Sequence, residues 1–161
     1  MAVTIAIETP LQDDVRALVA QLNDHLLPLS PLEFQFKMTV EQMADSATTL
    51  FVARNAAGKA VGMGALKRHG PELGEVKRMF TLPEVRGQRV GRQLLERIVD
   101  LARERKLPVV MLETGTGEGM AEAHRLYTRY GFTPRGPFLD YPDSEWSAFF
   151  ELNLAAAARV A

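Results

Sequence analysis

An arginine- and glycine-rich segment, residues 79–92, carries the residue types that bind a phosphate group. It runs through Pro83 and reads Arg-Gly-Gln-Arg-Val-Gly-Arg over residues 86–92, directly before an amphipathic run. The first amides of a helix have no partner inside the helix and lie at the positive end of its dipole, and glycines let a phosphate approach the backbone closely. The segment lacks the glycine spacing and the Gly-Lys-Ser/Thr ending of a Walker loop, so it predicts a pyrophosphate site without a metal.

The composition of the chain excludes several classes of function. The 161 residues fit one domain, and 47% hydrophobic residues are enough to bury a core. A net charge of -1 removes the electrostatic footprint of a dedicated nucleic-acid or anionic-membrane binder. The chain has no cysteine, and its three histidines are too scattered for a metal site. We therefore expect no metal, nucleic-acid or membrane partner.

Charge is distributed unevenly along the chain. Residues 1–50 carry seven acids and two bases, residues 77–92 carry five bases and one acid, and residues 138–152 carry four acids and no base. A small anion held at the centre, with an acidic rim that attracts a cationic partner, would explain this pattern, and solvated charged faces are the plainer explanation. The N-terminus has no basic n-region and no apolar run approaches the ~18 residues of a membrane span, so we expect a cytoplasmic protein.

The hydrophobic pattern predicts one alternating α/β domain over residues 1–154, followed by a frayed tail over residues 155–161. Prolines make residues 27–32 a loop, and the turn at residues 55–58 predicts a hairpin. The predicted strands are residues 4–8, 48–54, 59–69, 75–81, 109–112 and 146–152. The predicted helices are residues 13–26, 40–45 with Thr39 as N-cap, 91–106 and 121–130.

The phosphate segment and a second motif resemble the GNAT superfamily of acetyl-CoA-dependent N-acetyltransferases. The family loop reads Arg or Gln, two residues, Gly, one residue, then Gly or Ala, and residues 86–91 fit it except that Arg89 occupies the first glycine position. Residues 123–132 resemble the family's helix-to-strand element, although Met120 replaces an Asn that often precedes it. Residues 64–66, 75–79, 112–115 and 137–141 look like a subgroup of small bacterial acetyltransferases.

The resemblance implies the GNAT fold, a mixed and mostly antiparallel sheet of about six to seven strands flanked by about four helices. It also implies acetyl-CoA as co-substrate, with pantetheine paired along the strand of residues 75–81 and the pyrophosphate on residues 88–92. The cofactor-binding residues are then expected to be Met79, Phe80, Thr81, Arg86, Gly87, Gln88, Arg89, Val90, Gly91 and Arg92.

The same resemblance assigns proton-transfer roles in the direct attack of an amine on the thioester. Tyr127, at the family's acid position, would protonate the leaving thiolate, and Glu75 would be the general base. Glu113 is a second candidate for the base, and water a third. Without the resemblance, Tyr127 is a core residue, Glu75 a solvated acid and Glu113 a carboxylate that caps neighbouring amides. Amides near Phe80 would hold the oxyanion.

The expected acceptor is the amine of a small or amino-acid-like molecule that enters between residues 26–37 and residues 138–146. We expect a homodimer, because dimers are common in the family. His124 is expected on an exposed helix face, and His25 and His69 at the surface.

Two alternatives to this function remain open. A non-catalytic member of the family would bind acyl-CoA as a sensor or assembly module. Residues 109–119 also match the apolar strand and acid-x-Gly-x-Gly-x-Gly pattern of an S-adenosylmethionine-dependent methyltransferase, although only 42 residues follow Gly119 to supply the further βα units of that fold.

Overall fold

A seven-stranded sheet forms the centre of the computed structural model, which describes residues 2–155. The strands lie in the order β1-β2-β3-β4-β5-β7-β6, and every neighbouring pair is antiparallel except β4 with β5. Their bounds are β1 Thr4–Ile7, β2 Thr48–Arg54, β3 Ala60–His69, β4 Leu73–Thr81, β5 Val109–Gly115, β6 Thr133–Arg135 and β7 Ser147–Asn153.

Four α-helices flank this sheet: α1 Asp13–Leu26, α2 Val40–Met43, α3 Val90–Glu104 and α4 Ala121–Tyr130. Helix α3 buries one apolar stripe that includes Leu94, Leu95, Ile98 and Val99. Its close approach to β3 depends on a glycine, because a Cβ on Gly64 would lie 2.9 Å from Ile98 Cδ1. Helix α2 begins at a capping box formed by Thr39 and Gln42, as the N-cap prediction for Thr39 required.

The predicted fold class is confirmed: the sheet is mixed and mostly antiparallel, with seven strands and four α-helices in the described part of the chain. Single 3-10 turns at Leu27–Leu29 and Leu32–Phe34 interrupt the predicted loop, and β5 continues to Gly115, three residues beyond its predicted end. The methyltransferase alternative is wrong, because β5 is followed by α4 and two antiparallel strands rather than by further parallel βα units.

The end of the domain packs against the loop before β5. The amides of Leu154 and Ala155 both donate to Pro108 O, at 2.8 and 3.1 Å. The rest of the tail predicted at residues 155–161 lies outside the described residues. Over residues 2–155, none of the helices combines the length and apolarity that crossing a bilayer requires.

Candidate active site

The two central strands of the sheet separate along their length and leave a cleft. Strands β4 and β5 pair only at Gly74 with Val110 and at Glu75 with Met111, and beyond these pairs their facing edges diverge. A cavity of about 140 Å³ occupies the gap. Its lining includes Val76, Lys77, Arg78 and Met79 of β4, Glu113, Thr114 and Gly115 of β5, Tyr127 of α4, and residues 29–30 and 34–37 of the loop after α1.

A β-bulge on β4 shapes the wall of this cleft. Ala65 pairs with Lys77 while Met63 pairs with Phe80, so β4 carries one more residue than β3 between these pairs. Arg78 lies in the bulge with a φ of 55°, in the left-handed region. The extra residue turns the strand, and the Arg78 guanidinium reaches Asn23 Oδ1 on α1.

Tyr127 lines the cavity from the side of α4. The residue is 5% exposed, and its ring packs against those of Phe132 and Phe150 at centroid distances of 5.9 and 6.2 Å. Burial, with a smaller contribution from the negative charge of Glu113, raises the pKa of the Tyr127 hydroxyl above its ordinary value. The hydroxyl therefore stays protonated at neutral pH and can act as a donor in the cleft.

Glu113 lines the same cavity from β5. Its Oε2 accepts a 2.7 Å hydrogen bond from the Ser147 hydroxyl. Burial raises the pKa of the Glu113 carboxyl, against the smaller opposing effects of that hydrogen bond and of the Lys77 charge. A carboxylate with a raised pKa is better matched to removing a proton from an amine near neutral pH.

Glu75, the base predicted from the sequence, lies on a neighbouring cavity of about 530 Å³. The residue is 3% exposed, so it is a buried acid and not a solvated one. Its Oε1 lies 2.9 Å from His69 Nε2, and its Oε2 accepts a 2.5 Å hydrogen bond from the Tyr141 hydroxyl. Lys77 Nζ donates to the same hydroxyl at 2.8 Å and lies 3.6 Å from Glu75 Oε2. Both carboxylate oxygens are thus engaged.

This second cavity lies between the two segments that we expected to admit the acceptor. Residues 36–38 form one side and residues 139–141 the other, and the rings of Phe36 and Tyr141 meet edge to face at 5.2 Å. Phe36, Lys37 and Lys77 line both cavities and so stand between them.

Two histidines differ from the surface positions expected for them. His69 is half-buried because its ring bonds the buried Glu75. His124 is also half-buried: its Nε2 lies 2.8 Å from Gly115 O at the end of β5, and its ring packs against Phe150. His124 therefore links α4 to the strand that bears Glu113.

The predicted phosphate loop leads into α3 through two residues with positive φ. Gly87 has a φ of 82°, and Arg89, the N-cap of α3, has φ 62° and ψ 22°. The first backbone hydrogen bond of the helix runs from Gln93 N to Arg89 O at 3.0 Å, so the preceding amides have no acceptor within the helix. Free amides at the N-terminus of a helix are able to bind an anion. The glycine that the resemblance places at position 89 would adopt such a φ without strain.

The loop ends beside the cleft. A Cβ on Gly91 would lie 3.4 Å from Leu126 Cδ2 of α4 and 3.9 Å from Thr81 Cγ2 of β4. The side chains of Arg86, Gln88 and Arg89 are exposed, and Val90 is buried. Arg92 is already engaged, because its guanidinium lies 5.3 Å from the centroid of the Tyr130 ring and its Nε is 3.2 Å from Glu96 Oε1.

Of the other residues expected to contact the cofactor, Met79 lines the cavity, Phe80 is buried and Thr81 is half-buried at the end of β4.

Sequence reasoning missed four residues of this region. Tyr141 and Arg78 lie in the subgroup-like segments at residues 137–141 and 75–79, which were the available signal for them. Gln35 and His69 had no comparable signal, because their positions depend on the fold of the loop after α1 and on pairing with Glu75. Gln35 Nε2 donates to the carbonyl oxygens of Leu26, Leu27 and Ser30 and so holds the loop after α1 in place.

Comparison with known proteins places this geometry in context. A family model described as an acetyltransferase (GNAT) domain matches residues 46–134, which include β2 to β5, the phosphate loop, α3 and α4. A protein from Azospirillum brasilense named IAA acetyltransferase is 42% identical over 153 residues, which cover 94% of this chain and 98% of that protein.

Solved structures of N-acyltransferases and acetyltransferases also superpose on this chain. A crystal structure of a Klebsiella pneumoniae protein assigned as an acyl-CoA N-acyltransferase superposes with a TM-score of 0.81 at 32% identity, covering 94% of this chain and 97% of the other. A GNAT family acetyltransferase from Elizabethkingia anophelis, with acetyl-CoA bound, has the same fold at 17% identity and a TM-score of 0.64, covering 94% of this chain and 97% of that one.

Proposed function

This chain belongs to the GNAT family of N-acetyltransferases, and we propose that it moves the acetyl group of acetyl-CoA directly to the amine of a small-molecule acceptor in a ternary complex. The observation that carries this proposal is the cavity between β4 and β5, where Tyr127 and Glu113 line the same space. A hydrogen-bond donor and a carboxylate in one cleft are the groups that amine acetylation requires.

The residues present fit acetyl-CoA as the donor. The unpaired edge of β4 beyond Glu75 offers backbone groups to the pantetheine amides, as a strand would pair with them. The amides of residues 89–92, which have no acceptor within the helix, and the exposed guanidinium groups of Arg86 and Arg89 suit the pyrophosphate. Because Gly91 lies beside Thr81, a single extended ligand can follow β4 and end on the loop.

In the proposed mechanism, Glu113 accepts a proton from the ammonium form of the acceptor and leaves a neutral amine. The nitrogen of this amine then forms a bond to the acetyl carbon, while the backbone N–H near Phe80 polarises the carbonyl oxygen. As the carbon–sulfur bond breaks, the Tyr127 hydroxyl donates its proton to the departing sulfur, and the Tyr127 oxygen then takes the second proton that the nitrogen loses in becoming an amide. The ordinary pKa of tyrosine lies about 1.5 units above that of a thiol, and burial widens this gap, so the donation helps most when it accompanies bond breaking.

The assignment of the base to Glu113 rather than Glu75 rests on which cavity each one lines. Glu113 shares the cavity with Tyr127, whereas Glu75 lines the neighbouring one and both of its oxygens accept hydrogen bonds. We propose that Glu75 positions Lys77 and Tyr141 between the two cavities. The sequence-based prediction of Glu75 as base stays a prediction, and the variants Glu75→Gln and Glu113→Gln test it.

The experiment that tests the function is a screen of amines with acetyl-CoA that follows the release of free thiol. Turnover with at least one amine, lost in Tyr127→Phe, would support the proposal. The competing function, an acyl-CoA sensor, predicts tight CoA binding with no thiol release for any amine. A cytoplasmic location and a homodimer are further proposals, and light scattering of the purified chain tests the second.

A further inference from the structure

Arg78 is a buried cation whose charge the described chain does not balance. The residue is 8% exposed, and its side chain lines the same cavity as Tyr127 and Glu113. Within residues 2–155, the guanidinium forms its one hydrogen bond to Asn23 Oδ1 and has no carboxylate within 4.0 Å. Burial alone lowers the pKa of Arg78 to about 10, with no acid to oppose it.

The hydrogen-bonding capacity of this guanidinium is also unfilled. A guanidinium has five N–H donors, and leaving a buried donor without a partner is costly. Nε of Arg78 is buried and has no partner among the described residues. A position in the left-handed region adds to the cost of keeping an arginine here. An anion that places two oxygens against the guanidinium would remove both the unbalanced charge and the unpaired donor.

The charges around the cavity agree with an anionic occupant. Its lining holds three cations, Lys37, Lys77 and Arg78, and the carboxylate of Glu113. Lys77 is paired with Glu75 at 3.6 Å, so Lys37 and Arg78 are the two cations of the lining that have no carboxylate within 4.0 Å among the described residues. The same lining contains an unpaired acceptor, because Gln35 Oε1 is buried without a partner among the described residues while its Nε2 is fixed by three carbonyls. An N–H group of the ligand would satisfy that oxygen.

We propose that the acceptor is an amine that also carries an anionic group of the carboxylate or phosphonate kind, and that Arg78 binds this group. The inference rests on the proposed function, because it names the substrate class of the same cleft. The apolar part of the lining, which includes Leu22, Leu26, Leu29, Phe34 and Met120, gives room for a hydrophobic substituent between the two charged ends.

The test compares amines that differ in the anion alone. Phenylalanine with phenylalaninamide, alanine with alaninamide, and 2-aminoethylphosphonate with ethanolamine are titrated into the CoA-saturated protein, so that the measurement does not require turnover. A carboxylate source and a phosphonate source are thereby tested separately. In at least one pair the anionic member should bind about 10-fold more tightly or better, as one charge-assisted contact predicts. No preference in any pair would overturn the inference.

Two variants assign the preference to Arg78. Arg78→Met keeps an unbranched side chain and the Cβ of the strained position but removes the charge, so it should abolish the preference and leave CoA affinity unchanged. Asn23→Ala removes the contact with α1 and keeps the charge, so it should retain the preference. If both variants lower the affinities for the anionic and neutral members equally, Arg78 serves only to hold α1 in place through Asn23, and the inference is wrong.

The outcome is separable from that of the proposed function. An anion preference that depends on Arg78, together with no thiol release for any amine, would retain the site and refute the transferase proposal. Thiol release that is equal for the anionic and neutral members of every pair, and that Arg78→Met alters for neither, would retain the transferase proposal and refute the anion site.

Discussion

The Tyr141 hydroxyl donates a 2.5 Å hydrogen bond to Glu75 Oε2, which links the segment after β6 to the buried centre of β4. Burial, followed by the charge of Glu75, raises the pKa of this hydroxyl above its ordinary value, so the proton stays on the tyrosine. Lys77 Nζ donates to the Tyr141 hydroxyl oxygen at 2.8 Å, so Lys77, Tyr141 and Glu75 form one hydrogen-bonded chain between the two cavities. A carboxylate held in this way is expected to have a positioning role.

The first prediction separates the two carboxylates. Glu113→Gln should lower kcat/KM by about 100-fold, a typical general-base contribution, with little change in melting temperature. Activity of the unmodified enzyme should fall as pH drops through the raised pKa of Glu113, since the protonated acid cannot take a proton, and this limb of the pH profile should disappear in the variant.

Glu75→Gln is the matched comparison. It leaves Lys77 without its carboxylate partner and weakens the bond to Tyr141, so we expect a lower melting temperature and a smaller loss of rate. A 100-fold loss in Glu75→Gln at unchanged melting temperature, with Glu113→Gln fully active, would instead make Glu75 the base.

The second prediction concerns the Tyr127 hydroxyl. Tyr127→Phe keeps the ring contacts with Phe132 and Phe150, so acetyl-CoA affinity and melting temperature should hold while kcat falls about 100-fold. Tyr127→Ala should also destabilise the fold by about 3 kcal/mol or more, because it empties a buried ring site. A Phe variant with full kcat, measured where chemistry limits the rate, would remove Tyr127 from the catalytic residues.

The third prediction uses Gly91 to test the phosphate loop. A Cβ at Gly91 would make only ordinary contacts with Leu126 and Thr81, so Gly91→Ala should fold normally. It would nevertheless occupy the space that a pyrophosphate needs at the start of α3, and CoA affinity should fall about 10-fold in a calorimetric titration, with a larger loss for Gly91→Val. Gly136→Ala, where no atom lies within 4 Å of the added Cβ, serves as the control. Equal CoA affinity in all three would place the pyrophosphate elsewhere.

The fourth prediction separates the backbone and the charge of Arg89. Arg89→Gly relieves a residue held at φ 62°, so the melting temperature should rise, while CoA binding should weaken and depend less on salt because one cation is lost. Arg89→Gln keeps the Cβ and removes the charge, so it should weaken CoA binding without raising the melting temperature. A steeper salt dependence in either variant would contradict a phosphate contact.

The fifth prediction concerns acid stability at the edge of the sheet. Arg54 of β2 pairs with Glu8 and Asp14, each at 2.7 Å, and these bonds lower the pKa of both carboxyl groups. Since the folded pKa values lie below the unfolded ones, the stabilisation is complete above about pH 5 and is lost as pH falls further. Arg54→Met should flatten the dependence of unfolding free energy on pH in that range.

The exposed pair of Arg16 with Glu41 provides the control for Arg54. Its side chains are 49% and 70% exposed, so Arg16→Met should change stability little at any pH. An Arg54→Met protein whose unfolding follows the same acid profile as the unmodified chain would refute the role of this pair of bonds.

Local pattern was sufficient to predict the four α-helices and all the strands but the short β6, and it did not predict the contacts that shape the cleft. Helix α3 has a clear apolar stripe, and its glycine-containing N-terminus could be predicted from the sequence alone. The bulge at Arg78 depends instead on how β4 pairs with β3, and the burial of Glu75 depends on His69 and Tyr141, which meet it only in the folded chain. The strain at Arg89 could be suspected only because a glycine is usual at that position.

The separation of β4 from β5 divides the sheet into two leaves joined by only two residue pairs. One leaf, β1 to β4, bears the bulge and leads into the phosphate loop, and the other, β5 with β7 and β6, bears Glu113. A ligand bound along the gap would bridge the two leaves where the hydrogen bonds between β4 and β5 stop. Its binding would thereby stabilise the folded arrangement of the leaves. The angle between the leaves, and with it the distance from Glu113 to β4, would then be set by the donor before the acceptor arrives.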